Sequence, residues 1–291
     1  MLKGTIIKGI GGFYYVDTKE GIYECRARGI FRKEGIKPAV GDAVEISVLN
    51  ENEKEGSLDV IEQRKTLLIR PRVANVEQAV IVFAAKSPNL NLDLLDRFLL
   101  LVEEQQLDIV ICINKIDKDK TQSYQKTAEL YRSAGYTVLC LSAEKNIGIE
   151  DLKQVLQNKI SVFAGPSGVG KSSLINKAFP HANMETGEVS RKIQRGRHTT
   201  RHAELIQIGE KSYIVDSPGF TSLYLEGITQ QTLQYYFREF QPYLHKCYYT
   251  SCSHTHEPDC RIKEQINKAI SEIRYRRYVT IYEELEKERK K

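Results

Sequence analysis

No run of apolar residues in this chain approaches the roughly 20 that are needed to cross a bilayer, which argues against a membrane-spanning helix. The N-terminal stretch MLKGTIIKGIGGFYY is interrupted by glycines and lacks the layout of a signal peptide. Internal repeats and low-complexity tracts are also absent. These absences predict a globular cytoplasmic protein that does not bind membranes. Nothing in the sequence indicates oligomerisation, so a monomer is expected.

The composition is that of an ordinary globular protein, but its charge is uneven. The 291 residues suggest about two domains, and contents of 41% hydrophobic and 28% charged residues are typical of folded chains. The net charge is only +5, yet residues 190–202 contain five Arg and Lys residues and no acid. Such a segment fits a polyanionic partner or, equally well, a solvated basic loop.

The sequence of residues 1–62 predicts a small all-β domain. Short runs of alternating apolar and polar residues are separated by glycine turns, and five strands in about sixty residues fit a compact barrel of the OB-fold type. The predicted strands are Thr5–Ile10, Phe13–Val16, Ile22–Ala27, Ala43–Leu49 and Leu58–Ile61. Basic residues concentrate between Arg26 and Lys37, although the domain as a whole has nine basic and eleven acidic side chains. An RNA-binding face is therefore expected with only weak support from charge.

The sequence of residues 63–222 predicts an α/β domain. After a connector at residues 63–75, β-branched apolar runs alternate with amphipathic helices, which is typical of a mostly parallel sheet covered on both faces. Strands are expected at Gln78–Ala85, Asp108–Ile113, Thr137–Leu141 and Ile160–Ala164, a hairpin at Leu205–Ile208 and Ser212–Val215, and helices at Leu92–Glu104, Thr121–Ala134, Ile149–Asn158 and Ser172–Phe179. Residues 223–291 predict a third, helical domain, with helices at Gln230–Phe240 and Arg261–Glu288.

A phosphate-binding loop is predicted where the stretch GPSGVGKSS satisfies G-x-x-x-x-G-K-[ST]. Its glycines let successive N–H groups point at phosphate oxygens, and the following helix adds its positive N-terminal end. Lys171 would reach the β- and γ-phosphates, and the Ser172 hydroxyl would ligand Mg²⁺. An incidental glycine-rich turn is the alternative. The predicted nucleotide-binding residues here are Gly165, Pro166, Ser167, Gly168, Val169, Gly170, Lys171, Ser172 and Ser173.

A guanine-binding element is predicted at Asn114-Lys115-Ile116-Asp117, directly after a strand. The Asp117 carboxylate can accept hydrogen bonds from N1–H and the 2-amino group of guanine, whereas adenine lacks both donors. Asn114 would fix the loop and the acceptor edge of the base, and the stem of Lys115 would pack along the ring. Ser142 and Ala143 end another strand at the carboxyl edge, where ligands bind in open α/β sheets.

Magnesium-binding residues are predicted beyond the phosphate-binding loop. Asp216-Ser217-Pro218-Gly219 matches D-x-x-G. In this motif the aspartate holds Mg²⁺ through water, and the Gly219 N–H contacts the γ-phosphate. Thr199 and Thr200, in the basic segment, are both candidates for the switch threonine whose hydroxyl joins the Mg²⁺ shell.

The order of these motifs is unusual. Ordinary GTPases place the phosphate-binding loop first and N-K-x-D and S-A last, whereas here N-K-x-D and S-A come first. With GPSGVGKSS, NKID, GRHTTR, DSPGF, an N-terminal barrel and a C-terminal Cys/His cluster, the whole chain resembles the circularly permuted GTPases of the ribosome small-subunit-dependent GTPase A (RsgA) family. The resemblance implies a GTPase that binds the 30S ribosomal subunit and its 16S rRNA, assists late maturation of the subunit and is stimulated by it.

The residue after D-x-x-G is Phe220, where many GTPases have a glutamine that orients the attacking water. Phenylalanine cannot do this. His198 is the best nearby substitute, because an imidazole can contact water and exchange protons near neutral pH. The alternative is that His198 is a surface or RNA-contacting histidine. Catalysis by His198 predicts slow intrinsic turnover that an RNA partner stimulates by ordering the loop.

A metal site is predicted at C-x4-C-x-H-x5-C, formed by Cys247, Cys252, His254 and Cys260. Three thiolates and one imidazole can make the closed tetrahedral shell of a structural Zn²⁺. His256 is a competing ligand, and disulfides would leave one of the clustered cysteines over. The resemblance to the RsgA family favours the set with His254, with one Zn²⁺ per chain.

Two functions remain open. The first is a GTP-hydrolysing switch that acts on the small ribosomal subunit, which His198 and the intact Mg²⁺ set favour. The second is an RNA-binding assembly module in which GTP is mainly a structural ligand, which Phe220 favours.

Overall fold

The computed structural model describes residues 1–69, 71–184, 203–216 and 227–289. The strands are β1 (Leu2–Ile10), β2 (Phe13–Thr18), β3 (Gly21–Ala27), β4 (Ala43–Asn50), β5 (Glu55–Ile61), β6 (Leu67–Ile69), β7 (Arg72–Ala74), β8 (Gln78–Ala84), β9 (Asp108–Asn114), β10 (Thr137–Cys140), β11 (Ile160–Ala164), β12 (Glu204–Gly209) and β13 (Ser212–Asp216). The α-helices are α1 (Gly29–Lys33), α2 (Leu92–Glu104), α3 (Tyr124–Ser133), α4 (Ile149–Leu156), α5 (Lys171–Ala178), α6 (Gln230–Leu233) and α7 (Glu272–Arg289). No helix in these ranges is both long and apolar enough to cross a membrane.

The chain forms two compact units, and each is described separately. The first unit contains Met1–Val80, Ile149–Ala164 and Lys171–Thr221. The second unit contains Ile81–Gly148, Gly165–Gly170 and Ser222–Lys291. The phosphate-binding loop therefore belongs to the second unit, whereas the helix that follows it belongs to the first.

A closed barrel with the strand order β1-β2-β3-β5-β4 lies in the first unit. β1 pairs antiparallel with both β2 and β4, which closes the barrel, and β3 pairs parallel with β5. Fully buried side chains fill its interior, among them Ile6, Val16, Tyr23, Ile46 and Leu58. The predicted OB-type barrel is confirmed, and each strand extends one to three residues beyond its predicted bounds.

Residues 63–75, predicted as a connector, contain the small hairpin β6–β7. Arg64 fastens this stretch to the barrel, because its Nε and Nη2 atoms donate to the two oxygens of Asp42 at 2.6 and 2.8 Å. Asp42 is fully buried and also accepts a hydrogen bond from the Ala39 N–H at 2.7 Å. The described residues of this stretch are thus joined to the barrel within the first unit.

A six-stranded sheet has the order β10-β9-β8-β11-β13-β12. In the second unit β10 runs parallel to β9. In the first unit β11 runs parallel to β13, and β12 and β13 form an antiparallel hairpin at the edge. β8 contributes residues to both units, and both β8 and β11 are buried along their whole length, as expected for strands covered on two faces. The predicted α/β architecture with an edge hairpin is confirmed.

The two predicted C-terminal helices are shorter than expected. The first ends at Leu233 and continues as two 3₁₀ segments, which are separated by the extended backbone of Phe237 (φ −101°, ψ 101°). Of the second, only Glu272–Arg289 is α-helical. Residues 261–271 instead fold irregularly, with Asn267 at a φ of 61°, and bury Ile262 and Ile270 in the C-terminal core.

A buried ion network joins α7 to α2 within the second unit. The Arg274 side chain is 2% exposed, and its Nη1 and Nε atoms lie 2.5 Å from Asp96 and 2.7 Å from Glu239. The Tyr131 hydroxyl donates to Asp96 at 2.8 Å. Burial raises the pKa of Asp96, although the Arg274 charge and the Tyr131 hydrogen bond oppose this effect. The C-terminal core therefore depends on paired charges as well as on apolar packing.

Arg274→Met is expected to lower the free energy of unfolding by about 3–5 kcal/mol, because it removes the buried counter-charge of Glu239 and leaves Asp96 with only the more distant Arg277, at 3.9 Å. Chemical denaturation would measure the loss. Arg276→Met is the matched control on the same helix, since Arg276 is exposed and, among the described residues, forms its ion pair with Glu272 one turn away. A similar small loss, under about 1 kcal/mol, in both variants would contradict the role of the network.

Candidate functional site

Asn114 lies at the centre of the predicted nucleotide-binding elements of the second unit. Its side chain is 1% exposed, and its Nδ2 donates to the carbonyl of Val169 at 2.9 Å. Its Oδ1 accepts from the N–H of Ala143 at 3.4 Å. One side chain therefore connects the N-K-x-D element, the S-A element and the phosphate-binding loop.

Lys115 and two glycines shape the same loop. The Lys115 backbone is left-handed (φ 60°), and its Nζ donates to the carbonyl of Gly168 at 2.6 Å. Gly165 has a φ of 130°, and a Cβ there would lie 2.1 Å from the carbonyl oxygen of Val82. Gly170 has a φ of 95°, and a Cβ there would lie 2.5 Å from the Asn114 amide nitrogen. Both positions therefore require glycine.

Asp117 is held by the S-A element, because the buried Ser142 hydroxyl donates to its Oδ1. Asp119, two residues on, has a different role. It accepts hydrogen bonds from the Thr121 and Ser123 hydroxyls and from the Tyr124 N–H, which lowers its pKa to about 2. These bonds explain why α3 begins at Tyr124 rather than at the predicted Thr121.

The first unit carries the residues that follow the loop and the end of β13. Lys171 begins α5, and burial lowers the pKa of its half-buried amine. Ser172 lies in the first turn of the same helix. Asp216 ends β13, which runs parallel to β11, so Asp216 and Ala164 end neighbouring strands at one edge of the sheet. Hydroxyl and carboxylate oxygens are ligands that suit Mg²⁺, so this donor set fits the metal.

Several predicted site residues lie outside the described residues. They are His198, Thr199, Thr200 and Gly219, together with Phe220.

The cysteine and histidine cluster lies in the second unit. The ligand atoms of Cys247, Cys252, His254 and Cys260 all lie within 4.8 Å of one another. His254 Nδ1 is 3.5 Å from Cys247 Sγ and 3.3 Å from Cys260 Sγ, and the two sulfurs are 4.0 Å apart. A tetrahedral Zn²⁺ with bonds of about 2.0–2.3 Å requires edges of about 3.5–3.8 Å, so the donor set fits zinc.

The surroundings of the cluster distinguish the two histidines. His254 is 2% exposed, and its Nε2 lies 2.7 Å from the side-chain amide oxygen Oε1 of Gln234, which fixes the ring with Nδ1 toward the thiols. The His256 side chain is 84% exposed and lies outside the cluster. The Arg261 N–H donates to Cys247 Sγ at 3.4 Å, which ties this sulfur to the backbone that follows Cys260. The cysteines are free thiols, so no disulfide competes for them.

The sequence pattern missed several residues that support these sites. Gln234 orients His254, and Asp119 shapes the loop after N-K-x-D. The Tyr278 hydroxyl donates to the Ser253 carbonyl at 2.7 Å, which holds the loop between Cys252 and His254 of the cluster. Only the Asp119 role had a local signal, namely an aspartate followed by two hydroxyl side chains before a helix.

Comparisons with known proteins agree with this geometry. The sequence profile described as RsgA GTPase matches residues 61–226, and the one described as RsgA N-terminal domain matches residues 3–58. The small ribosomal subunit biogenesis GTPase RsgA of Alkaliphilus metalliredigens is 46% identical over 291 residues, with 100% of both chains covered.

Two crystal structures are similar over nearly the whole chain. YloQ, described as a circularly permuted GTPase, has a TM-score of 0.82 and 37% identity, covering 99% of this chain and 96% of that one. YjeQ from Thermotoga maritima has a TM-score of 0.84 and 36% identity, covering 98% of each chain. With a family profile that matches more than half of its residues and a relative this similar over its full length, the chain belongs to the RsgA family of GTPases.

Proposed function

We propose that this chain is a GTP-hydrolysing switch that binds the small (30S) ribosomal subunit and assists its late maturation. The observation that carries the proposal is the position of Asn114, whose side chain joins the guanine-binding element to the phosphate-binding loop. A loop held in this way is preorganised for a guanine nucleotide. The name of the relative from Alkaliphilus metalliredigens supports the small ribosomal subunit as the partner, and 16S rRNA is the polyanion that the basic segment 190–202 would meet.

The nucleotide-binding residues of the proposal follow from motif chemistry. Asp117 binds the guanine edge, and the loop N–H groups bind the phosphates. The proposed GTP-binding set is Asn114, Lys115, Asp117, Ser142, Ala143, Gly165, Pro166, Ser167, Gly168, Val169, Gly170, Lys171, Ser172, Ser173 and Gly219. The proposed Mg²⁺ set is Ser172, Asp216 and one of Thr199 and Thr200. The metal would supply charge neutralisation at the phosphates.

Hydrolysis requires a group that orients the attacking water. Phe220 cannot do so, and we assign this role to His198, with Lys171 neutralising the charge that develops on the phosphates. His198 lies in a segment of five basic residues, so contact with rRNA would neutralise that charge and bring the imidazole to the γ-phosphate. The competing function, in which GTP is only a structural ligand of an RNA-binding module, is favoured by Phe220 alone.

Phosphate release with and without purified 30S subunits tests the proposal. The wild type is expected to hydrolyse GTP slowly alone and faster with 30S subunits. His198→Ala should keep its GTP affinity and 30S binding but lose most of the stimulated rate, by about 10²-fold. His181→Ala is the matched control, because His181 lies in a short 3₁₀-helix after α5. Equal stimulation of wild type and His198→Ala would exclude the catalytic role, and no stimulation of the wild type would favour the structural-ligand function.

Other parts of the proposal concern organisation. We assign RNA binding to residues 1–62, nucleotide hydrolysis to residues 63–222 and zinc binding to residues 223–291. The protein is proposed to act as a monomer in the cytoplasm, where 30S subunits mature.

One structural Zn²⁺ is proposed at Cys247, Cys252, His254 and Cys260. The four donors leave no open position, so the ion would hold the C-terminal core together rather than take part in catalysis. Cys252 and Cys260 are themselves part of that core, with Phe237, Phe240 and Tyr278. The free energy of metal binding at such a site contributes directly to the stability of the folded domain.

Cys252→Ser is expected to release the zinc and loosen residues 240–289 while leaving nucleotide affinity nearly intact. Atomic absorption measures the metal content, and proteolysis measures the loosening. His256→Ala is the control, because its exposed imidazole lies two residues from His254 but outside the cluster. One zinc per chain retained in Cys252→Ser would refute the assignment.

A further inference from the structure

Polar contacts within the first unit fasten the hairpin β12–β13 to the barrel. Lys8 Nζ, on β1, lies 2.9 and 3.1 Å from the two oxygens of Glu204 on β12. The Tyr213 hydroxyl, on β13, donates to Asp17 Oδ2 on β2 at 2.5 Å. Burial and the Asp17 carboxylate raise the pKa of Tyr213, so the phenol stays a hydrogen-bond donor at physiological pH.

The register of the hairpin places these contacts next to the proposed Mg²⁺ carboxylate. Glu204 lies directly opposite Asp216 in the antiparallel pairing of β12 and β13. Tyr213 lies three residues before Asp216 on β13 and opposite Ile160 of β11. The barrel thus holds β12 at the level of Asp216, through Glu204, and β13 three residues before it, through Tyr213.

The barrel side of the contact lies on two paired strands. Lys8 pairs with Tyr15 across β1 and β2, and Asp17 pairs with Thr5, so both contact residues belong to neighbouring strands of a closed barrel. A closed barrel has no free edge along which these strands can slip, so it can serve as a fixed frame for the hairpin.

We propose that Lys8 and Asp17 are positioning residues of the nucleotide site, which act through Glu204 and Tyr213 to place the Asp216 carboxylate for Mg²⁺. The inference rests on the proposed function, because it takes Asp216 as the residue that faces the Mg²⁺ of bound GTP. A binding partner that shifts the barrel relative to the hairpin would therefore change the affinity of the protein for Mg²⁺·GTP. By thermodynamic linkage, Mg²⁺·GTP would change the affinity for that partner by the same factor.

The test is the Mg²⁺ concentration at which the affinity for a fluorescent GTP analogue is half-maximal, a binding measurement that does not depend on turnover. Tyr213→Phe, which removes one hydroxyl and keeps the buried ring, is expected to raise this concentration about three- to tenfold. Lys8→Glu and Glu204→Lys should each raise it about three- to fivefold. The double variant Lys8→Glu/Glu204→Lys restores opposite charges and should return to within about twofold of the wild type. Nucleotide affinity without Mg²⁺ should change little in all of them.

Lys3→Glu is the matched control, because Lys3 lies on the same strand as Lys8 but pairs with Glu45 and Glu62 of the barrel itself. It should leave the Mg²⁺ dependence unchanged. Wild-type Mg²⁺ dependence in Tyr213→Phe and in both single charge reversals overturns the inference. So does a double variant that is no better than the singles, because that result would indicate general damage rather than positioning. Absence of Mg²⁺-dependent GTP binding in the wild type would instead overturn the proposed function.

Discussion

Asp117→Asn is expected to lower the affinity for GTP and GDP by about 10²- to 10⁴-fold and to admit xanthine nucleotides. The carboxylate would accept two hydrogen bonds from guanine, and hydrogen bonds to a charged group contribute about 1.5–3 kcal/mol each. The Ser142 hydroxyl donates to Asp117 Oδ1. The amide oxygen of the variant would therefore stay at Ser142, and its NH₂ group would face the base. That group can donate to the C2 carbonyl of xanthine but not to the amino group of guanine.

Competition between GTP and xanthosine triphosphate for the fluorescent GTP analogue measures this change. Asp119→Asn is the matched control, because Asp119 binds the Thr121 and Ser123 hydroxyls and the Tyr124 N–H instead of a base. It should lower stability but keep the preference for guanine. Unchanged guanine selectivity in Asp117→Asn would rule out the assignment of this element.

Lys171→Ala is expected to lower the rate of GTP hydrolysis by about 10²- to 10³-fold, because it removes a positive charge from the phosphates where negative charge develops. The fold should persist, since α5 is held by the buried Leu174, Ile175 and Ala178 rather than by Lys171. Burial already lowers the pKa of the Lys171 amine, which indicates a site in which the charge is weakly solvated. A phosphate group beside the Lys171 amine would be bound strongly, because opposite charges attract more strongly where water screens them weakly.

Single-turnover phosphate release and thermal unfolding, measured side by side, separate catalysis from folding. Lys177→Ala is the matched control, because Lys177 is exposed at the other end of the same helix. Lys171→Arg tests geometry, since it keeps the charge but changes its shape. Wild-type turnover in Lys171→Ala would mean that the loop does not bind phosphates in the proposed way.

The sequence predicted the architecture well because its signals are local and periodic. Five short strands between glycine turns predicted the barrel, and buried strands alternating with helices predicted the sheet. The family was recognised from contiguous motifs and their order. The C-terminal helices were predicted too long, because an amphipathic pattern does not reveal where a buried core such as that around Ile262 and Ile270 overrides helical periodicity.

By itself, the sequence determined which chemical groups this protein can use. These groups belong to short motifs, in which each residue is identified by neighbours only a few positions away in the sequence. They include Gly165, Lys171, Asp117 and the Cys/His cluster. Only the tertiary structure decided which side chains contact these groups and hold them in place. It separated His254 from His256, paired Arg274 with Asp96 across 178 residues, and joined Tyr213 to Asp17 across 196. The reason is physical: such contacts form only when the folded chain brings distant segments together, and no local pattern of residues records that approach.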